Sequence, residues 1–305
     1  MRVLVTGGAG FIGSNLVHAL VARGDDVRVL DDLSTGSREN LAGLDIDLRV
    51  FDIRDERAVR GAMQGVDFVL HQAAMPSVAR SVSAPVKSCE VNIMGLMTVL
   101  EAARAAGVQR LVFASSSSVY GQTPSLPKVE TMPKLPLSPY GVAKATGEVL
   151  CRVWTNLYAL PCVALRYFNV FGPRQSPLSD YAAVIPKFVT QMQRGERPLI
   201  HGDGSHTRDF CYIDNVVEAN LLALTAPAAP GHVYNVACGA RVSLLDLVAA
   251  VNAAQGTDIA PLHGPARAGD ILDSLADITA ARRDLGYSAP VSFSEGLRRT
   301  LKWYG

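Results

Sequence analysis

The first thirteen residues constrain this chain most. Residues 2–6 (RVLVT) form a short apolar run, Gly7-Gly8-Ala9-Gly10-Phe11-Ile12-Gly13 follows at once, and residues 11–22 (FIGSNLVHALVA) take up helical periodicity. A strand that passes through spaced glycines into a helix turns tightly, lets backbone approach a pyrophosphate and packs helix closely on strand. The helix start then offers unpaired N–H groups and a positive dipole end to an anion. The glycines satisfy both Gly8-x-Gly10-x-x-Gly13 and Gly7-x-x-Gly10-x-x-Gly13. A glycine triplet alone is weak; the strand before it and the helix after it supply the context.

The alternation continues. Residues 26–30, 48–51, 66–70, 110–114 and 161–166 read as strands, with helical stretches at 55–64, 87–106 and 141–158. Strands alternating with helices of this length predict an α/β fold, a doubly wound parallel Rossmann sheet covered on both faces and joined by right-handed crossovers. After Asn169 the texture changes, and Pro173, Pro177, Pro186 and Pro198 interrupt the chain. Helices are expected at 182–194, 214–225 and 243–254, and short strands near 199–201, 208–213, 232–236 and 271–275. We expect 1–168 to bind the dinucleotide and 169–305 to form mostly a smaller C-terminal α/β substrate-binding region. That boundary is soft, since 208–213 and 232–236 suit either layer.

Composition removes other classes. The 305 residues are 49% apolar and 19% charged, and 29 Lys+Arg nearly balance 28 Asp+Glu. Disorder is not expected, nor is a nucleic-acid partner, for want of a basic excess. No apolar run approaches the ~18 residues of a membrane span, and the N-terminus lacks a signal-peptide pattern. A cytoplasmic protein is expected. The odd set Cys89, Cys151, Cys162, Cys211 and Cys238 contains no CxxC pair, and the six histidines form no HExxH or HxxxH pair. Free thiols and no metal site are expected.

Three further features carry chemistry. A second strand ends at Asp31, eighteen residues past Gly13. A carboxylate there accepts hydrogen bonds from ribose hydroxyls and repels a 2′-phosphate, which favours NAD. Tyr140-x-x-x-Lys144 puts a phenol and an ammonium on one helix face; the cation should favour the phenolate and make a general base. Upstream, strand 110–114 runs into Ser115-Ser116-Ser117-Ser118, at the strand end where a doubly wound sheet opens its ligand crevice. A serine there can relay the same proton.

With VTGGAGFIGSNL, LDDLSTG, FDIRD, HQAAMPSV, FASSSSVYG, SPYGVAK, LRYFNVFGPRQ, GDGSHTRDFCYIDN and YNVACG along nearly its whole length, the chain resembles the extended short-chain dehydrogenase/reductases. Within them it is similar to the UDP-hexose 4-epimerases of the UDP-glucose and UDP-N-acetylglucosamine type. The resemblance implies a tightly held NAD and a homodimer built from helices 87–106 and 141–158. It implies catalytic Ser116, Tyr140 and Lys144, with Ser117 beside them. NAD contacts would come from Gly7, Gly10, Phe11, Ile12, Gly13, Asp31, Ser34, Thr35, Gly36, Asp52, Ile53, Gln72, Ala73, Ala74, Asn92, Tyr140, Lys144 and Tyr167. UDP-sugar contacts would come from Ser116, Asn169, Val184, Arg208, Arg267, Asp270 and Ser274.

Two positions depart from the family. Met75 stands where some hexose epimerases carry Lys, and Ser274 stands where glucose-restricted members carry a Tyr that walls the sugar pocket. A 4,6-dehydratase would carry Asp-Glu at Ser117-Ser118, and a decarboxylase Glu at Ser118. A UDP-glucuronate 4-epimerase also shows SSSSVYG, but differs after the sixth strand from Tyr167-Phe168-Asn169-Val170-Phe171-Gly172-Pro173. A non-catalytic NAD-sensing protein is the reading from another class; intact Ser116, Tyr140 and Lys144 weigh against it.

Overall fold

In a computed structural model, the structure describes residues 1–123, 125–177, 183–265 and 273–305. Seven parallel strands make the central sheet: β1 (Arg2–Thr6), β2 (Asp26–Asp31), β3 (Asp47–Val50), β4 (Phe68–His71), β5 (Arg110–Ser116), β6 (Cys162–Tyr167) and β11 (Val233–Val236). Their order is β11-β6-β5-β4-β1-β2-β3. The order reverses beside β1, between β1 and β4, and this is where a doubly wound sheet opens a crevice at its C-terminal edge. Both faces are covered, so β1, β4 and β6 are almost wholly buried and apolar along their length.

One face packs on α1 (Phe11–Ala22) and α8 (Ile213–Thr225), through Leu16, Leu20, Val216 and Ala219. The other packs on α2 (Glu56–Ala62), α5 (Gly95–Ala105) and α6 (Pro139–Tyr158), through Val59, Leu96, Leu100 and Trp154. Two short helices, α3 (Val78–Ser83) and α4 (Pro85–Cys89), precede α5.

Beyond β6 lie short strand pairs: β7 (Val170–Phe171) with β10 (Cys211–Tyr212), β9 (Thr207–Arg208) with β12 (Val242–Ser243), and β8 (Leu199–His201) with β13 (Leu262–Gly264). Helices α7 (Val184–Gln193), α9 (Leu244–Gln255), α10 (Thr279–Leu285) and α11 (Phe293–Tyr304) complete the chain.

Several expectations need correction. The helix expected over 87–106 is interrupted by a π-helical turn at Glu90–Met94, a feature that often re-aims a side chain at a functional site. Here it holds Asn92 against Met75, whose N–H donates to Asn92 Oδ1 at 2.8 Å. The strand expected at 66–70 instead runs to His71, because Thr6 Oγ1 lies 2.7 Å from the His71 ring nitrogen and satisfies it inside the sheet. Helix α6 starts two residues early. Pro139 fits its first turn, and the Ser138 hydroxyl accepts from Gly141 N at 3.1 Å. Of the strand expected at 271–275, residues 271 and 272 lie outside the described residues, and Asp273 forms an isolated bridge to Thr207. Helices α10 and α11 were not anticipated, although Ser292 caps α11 three residues before Glu295. The cysteines are free, with Cys151, Cys162 and Cys211 buried and Cys89 and Cys238 partly so.

Candidate active site

The glycine loop between β1 and α1 closes on itself: Gly7 N donates to Leu30 O at 2.8 Å and Gly10 N to Gly7 O at 3.2 Å. A side chain at Gly13 would bring a Cβ to 2.0 Å from Gly7 O, and Gly7 itself holds φ +69°. Only glycine fits at both positions. The N-cap of α1 is Gly10, with no side-chain cap, so the first-turn N–H groups of Phe11, Ile12 and Gly13 point toward an anion site. Asp31, at the end of β2, is buried; its carboxylate accepts Ala9 N at 2.9 Å and Leu33 N at 2.8 Å. Burial raises its pKa against those bonds. A backbone cradle without Cβ atoms, facing a buried carboxylate, fits a dinucleotide.

The other expected cofactor residues line the same edge of the sheet. Gly36 packs on the Ala9 backbone. Ser34 donates to Asp32 Oδ1 at 2.6 Å, and Thr35 is exposed beside it. Asp52 is engaged by Arg54 at 2.7 Å, which holds its carboxyl below the ordinary range, and Ile53 is buried. Ala73 N donates to Thr6 Oγ1 at 3.3 Å, and Ala74 follows it in the loop after β4. Gln72 and Tyr167 bond one another and Asn220: Asn220 Nδ2 donates to the Tyr167 hydroxyl at 2.8 Å, and Gln72 Nε2 to the same oxygen at 3.2 Å. These two groups brace β4 against β6 at the crevice.

The Ser116 hydroxyl, at the end of β5, lies near enough to the Tyr140 phenol to favour its ionised form. Its oxygen also accepts Ser118 N at 3.2 Å. Two contacts bring Tyr140 to it. Tyr140 N donates to the buried Ser81 hydroxyl at 3.1 Å, and Gly141 lets α6 approach the Ser118 carbonyl, which an added Cβ would meet at 2.9 Å.

Lys144 is buried one turn on. Its Nζ donates to Ala114 O at 2.7 Å and stands 5.6 Å from the Tyr140 ring centre. The expectation that Lys144 lowers the Tyr140 pKa is not met in the chain by itself. Burial raises Tyr140, the Ser116 hydroxyl opposes that rise, and burial lowers Lys144 to about 8.

Beneath this face lies a group the sequence reading missed. Arg166 grips buried Glu148 bidentately at 2.7 and 2.8 Å, and Ser115 donates to the same carboxylate at 2.7 Å. Glu148 follows Lys144 by one helical turn, so this brace ties α6 to β5 and β6. A charged Arg inside an apolar strand, LRYF, was the available signal.

Beyond β6, a cleft of about 920 Å³ is lined by Asn169, Val184 and Arg208, among others. A smaller cavity of about 270 Å³ joins Ser117, Tyr120, Asn169, Arg208 and buried Ser274. Asp209, next to Arg208, is fully buried and was also missed. It collects Cys238 N (2.9 Å), Gly239 N (3.1 Å) and Ala276 N (3.1 Å), and burial pushes its pKa up to about 6. It fastens three segments behind the cavity wall. Arg267 and Asp270 lie outside the described residues.

A glycine cradle, an acidic strand end and a Ser–Tyr–Lys cluster on a doubly wound sheet define an extended short-chain dehydrogenase/reductase. The sequence profile of the NAD dependent epimerase/dehydratase family matches residues 3–237. The UDP-glucose 4-epimerase of Mycolicibacterium smegmatis is 40% identical over 311 residues, covering 100% of this chain and 98% of that protein. Among solved structures, the UDP-N-acetylglucosamine 4-epimerase of Methanobrevibacter ruminantium, in complex with UDP-N-acetylmuramic acid, is 38% identical. It superposes with a TM-score of 0.95 and covers 99% of this chain and 97% of that one. The UDP-glucose 4-epimerase of Thermus thermophilus in complex with NAD is 39% identical, with a TM-score of 0.91 and coverage of 100% and 99%. The chain belongs to the NAD-dependent epimerase/dehydratase family, in its UDP-hexose 4-epimerase branch, and is an NAD-using UDP-sugar 4-epimerase.

Asp31 makes a prediction about the cofactor. A 2′-phosphate at its buried carboxylate sets like charges together, which costs several kcal/mol. Apo-protein reconstituted with NADP should show an activity ~100-fold or more below that with NAD; equal activity with both cofactors removes Asp31 from cofactor choice.

Proposed function

We propose that the enzyme interconverts UDP-N-acetylglucosamine with UDP-N-acetylgalactosamine and UDP-glucose with UDP-galactose, the acetylated pair at least as well. The observation that carries the substrate choice is Ser274, buried in the wall of the cavity shared by Ser117, Asn169 and Arg208. A small side chain there leaves room for an acetamido group at C2, where a Tyr ring would overfill the site. The names of the relatives, which include both a glucose and an N-acetylglucosamine epimerase, support the same breadth.

In this reading Tyr140 takes the proton of the sugar 4-hydroxyl, with Ser116 relaying. NAD, when bound, supplies the hydride acceptor and donor at C4. Lys144 holds a positive charge against the Tyr140 face at neutral pH. Arg208 grips the diphosphate with its guanidinium fork, and Asn169 and Val184 border the nucleotide. The binding energy of UDP retains the 4-keto sugar while its other face turns to the hydride. Ser117 and Ser118 supply no carboxyl pair for loss of water across C5 and C6, which disfavours a 4,6-dehydratase.

The division of the chain at 168 into cofactor and sugar-nucleotide regions belongs to this proposal, as does a cytoplasmic homodimer. No helix among the described residues is long and apolar enough to cross a membrane. Val86, Met94, Val149, Val153 and Leu157 are exposed on α4, the π turn and α6, the kind of apolar surface that association covers.

Ser274→Tyr tests the substrate choice. It should lose most activity on the acetylated sugars and keep activity on the plain hexoses, measured as the ratio of kcat/KM values. If both activities fall together, or neither moves, Ser274 does not set the pocket size.

A further inference from the structure

The first turn of α6 carries the reacting phenol, and its N–H groups are satisfied from two places. Pro139 has no N–H to satisfy. Gly141 N is taken by the Ser138 hydroxyl at 3.1 Å, an ordinary local cap. Tyr140 N lies too early in the helix for an intrahelical acceptor. It donates instead to the Ser81 hydroxyl at 3.1 Å, on α3 and 59 residues upstream.

Ser81 is fully buried and passes the bond on. Its hydroxyl donates to Val78 O at 2.6 Å, and its own N–H donates to Ser77 O at 3.0 Å. Val78 borders both cavities, and Pro76, Ser77 and Ala79 line the larger one beside it. The other end of this span is fixed as well. Met75 N donates to Asn92 Oδ1 at 2.8 Å, and Asn92 Nδ2 to Met75 O at 3.3 Å. The cleft wall at 76–79 is therefore held between two buried side chains, Asn92 and Ser81. One oxygen atom, that of Ser81, joins this wall to the main chain of Tyr140. A ligand lying against 76–79 steadies the same span that seats the phenol.

We propose that Ser81 is a positioning residue of the epimerisation, holding Tyr140 in register with the part of the chain that the sugar nucleotide lies against. The inference rests on the 4-epimerase reading and adds to it a residue behind the cavity walls.

Ser81→Ala removes the acceptor with little change of volume and leaves the Tyr140 N–H to find another. Turnover of UDP-glucose by the NAD-loaded variant should fall about tenfold or more, since small displacements from the reacting geometry carry costs of that size and larger. UDP affinity, read by calorimetry, should change far less. A phenol that draws back from Ser116 loses the hydroxyl that favours its ionised form, so the rising limb of kcat/KM should move to higher pH. With UDP-glucose deuterated at C4, the isotope effect on kcat should grow, because hydride transfer becomes the slow step. Ser81→Cys, which keeps a weaker acceptor, should lie between Ser81→Ala and wild type. Unchanged turnover in folded Ser81→Ala overturns the assignment. So does a loss that only tracks the fraction of folded protein while the pH profile and the isotope effect stay as in wild type, the mark of a purely structural serine.

If neither variant folds, the wild type decides. Exchange of the Tyr140 amide proton in the NAD-loaded protein should slow when UDP is added, because the wall that UDP meets is bonded to the hydroxyl that accepts from that amide. Exchange that UDP leaves unchanged overturns the proposal. A wild type that binds NAD and UDP yet converts no UDP-sugar overturns the 4-epimerase reading, whereas normal conversion by both wild type and Ser81→Ala overturns only the role of Ser81.

Discussion

Tyr140→Phe is expected to lower turnover by a factor of roughly 10² or more, the usual contribution of a positioned general base, while UDP still binds. The substitution removes one oxygen and keeps the ring, so the contacts that place residue 140 survive: its N–H on Ser81 at 3.1 Å and the Ser138 cap on Gly141 at 3.1 Å. What is lost is the phenol itself, the group whose ionisation Ser116 favours.

In the chain by itself this phenol is held above its ordinary pKa by burial, and Lys144 spends its nearest contact on Ala114 O at 2.7 Å. Deprotonating Tyr140 therefore needs every positive charge near it. With Lys144 pushed down to about 8 by burial, its cation is present at neutral pH and is lost as pH rises through that value. Lys144→Met should accordingly slow the reaction and move the rising limb of the kcat/KM profile to higher pH. Calorimetry of UDP binding separates these effects from loss of fold. Near-wild-type turnover in Tyr140→Phe removes the residue from the mechanism.

The second large effect is on stability. His71 is buried at the end of β4, with its ring nitrogen 2.7 Å from Thr6 Oγ1 and its ring 6.0 Å from that of Phe113. Burial first, and the Lys144 charge second, lower its pKa from 6.5 to about 3. Between those values the unfolded chain binds a proton that the native chain refuses. The contribution is thus fully present above pH 6.5 and is lost as pH falls toward 3. It amounts to several kcal/mol at most, on the order of 1.4 kcal/mol for each pH unit.

Asp209 acts in the opposite sense over part of this range. Its raised pKa, about 6, makes the native state bind its proton first, so stability falls as pH rises from about 4 to about 6. The comparison that isolates the histidine is wild type against His71→Asn, which keeps a partner for Thr6 and removes the titration. The urea midpoint of wild type should drop more steeply on acidification than that of His71→Asn. Parallel curves would show that His71 carries no such linkage.

These two residues also mark where sequence reasoning stops. Gly7, Gly10 and Gly13, Asp31, Ser116 and the Tyr140–Lys144 pair are legible because each acts through local backbone geometry: a loop, a strand end, one helix face. His71 is not. Its partner Thr6 lies on another strand, and the register Thr6↔His71 is a property of the assembled sheet. The Glu148–Arg166 brace and the three N–H groups gathered by Asp209 likewise join segments far apart in sequence.

Hydrophobic periodicity found α5 and α6 but not the π turn at Glu90–Met94. After Asn169 short strands dominate, and strands of two or three residues carry too little pattern to pair by inspection. The segment 232–236 suited either layer for that reason, and it enters the main sheet as β11.

The account is tested most directly by following the C4 stereochemistry of UDP-N-acetylglucosamine and UDP-glucose by proton NMR with the purified, NAD-loaded protein. It predicts that each is converted to its C4 epimer until an equilibrium mixture is reached, with no net NADH and no loss of water, and that Tyr140→Phe removes the conversion. Accumulation of a 4-keto-6-deoxy sugar, or no conversion of either sugar by a folded protein that binds NAD, would contradict it.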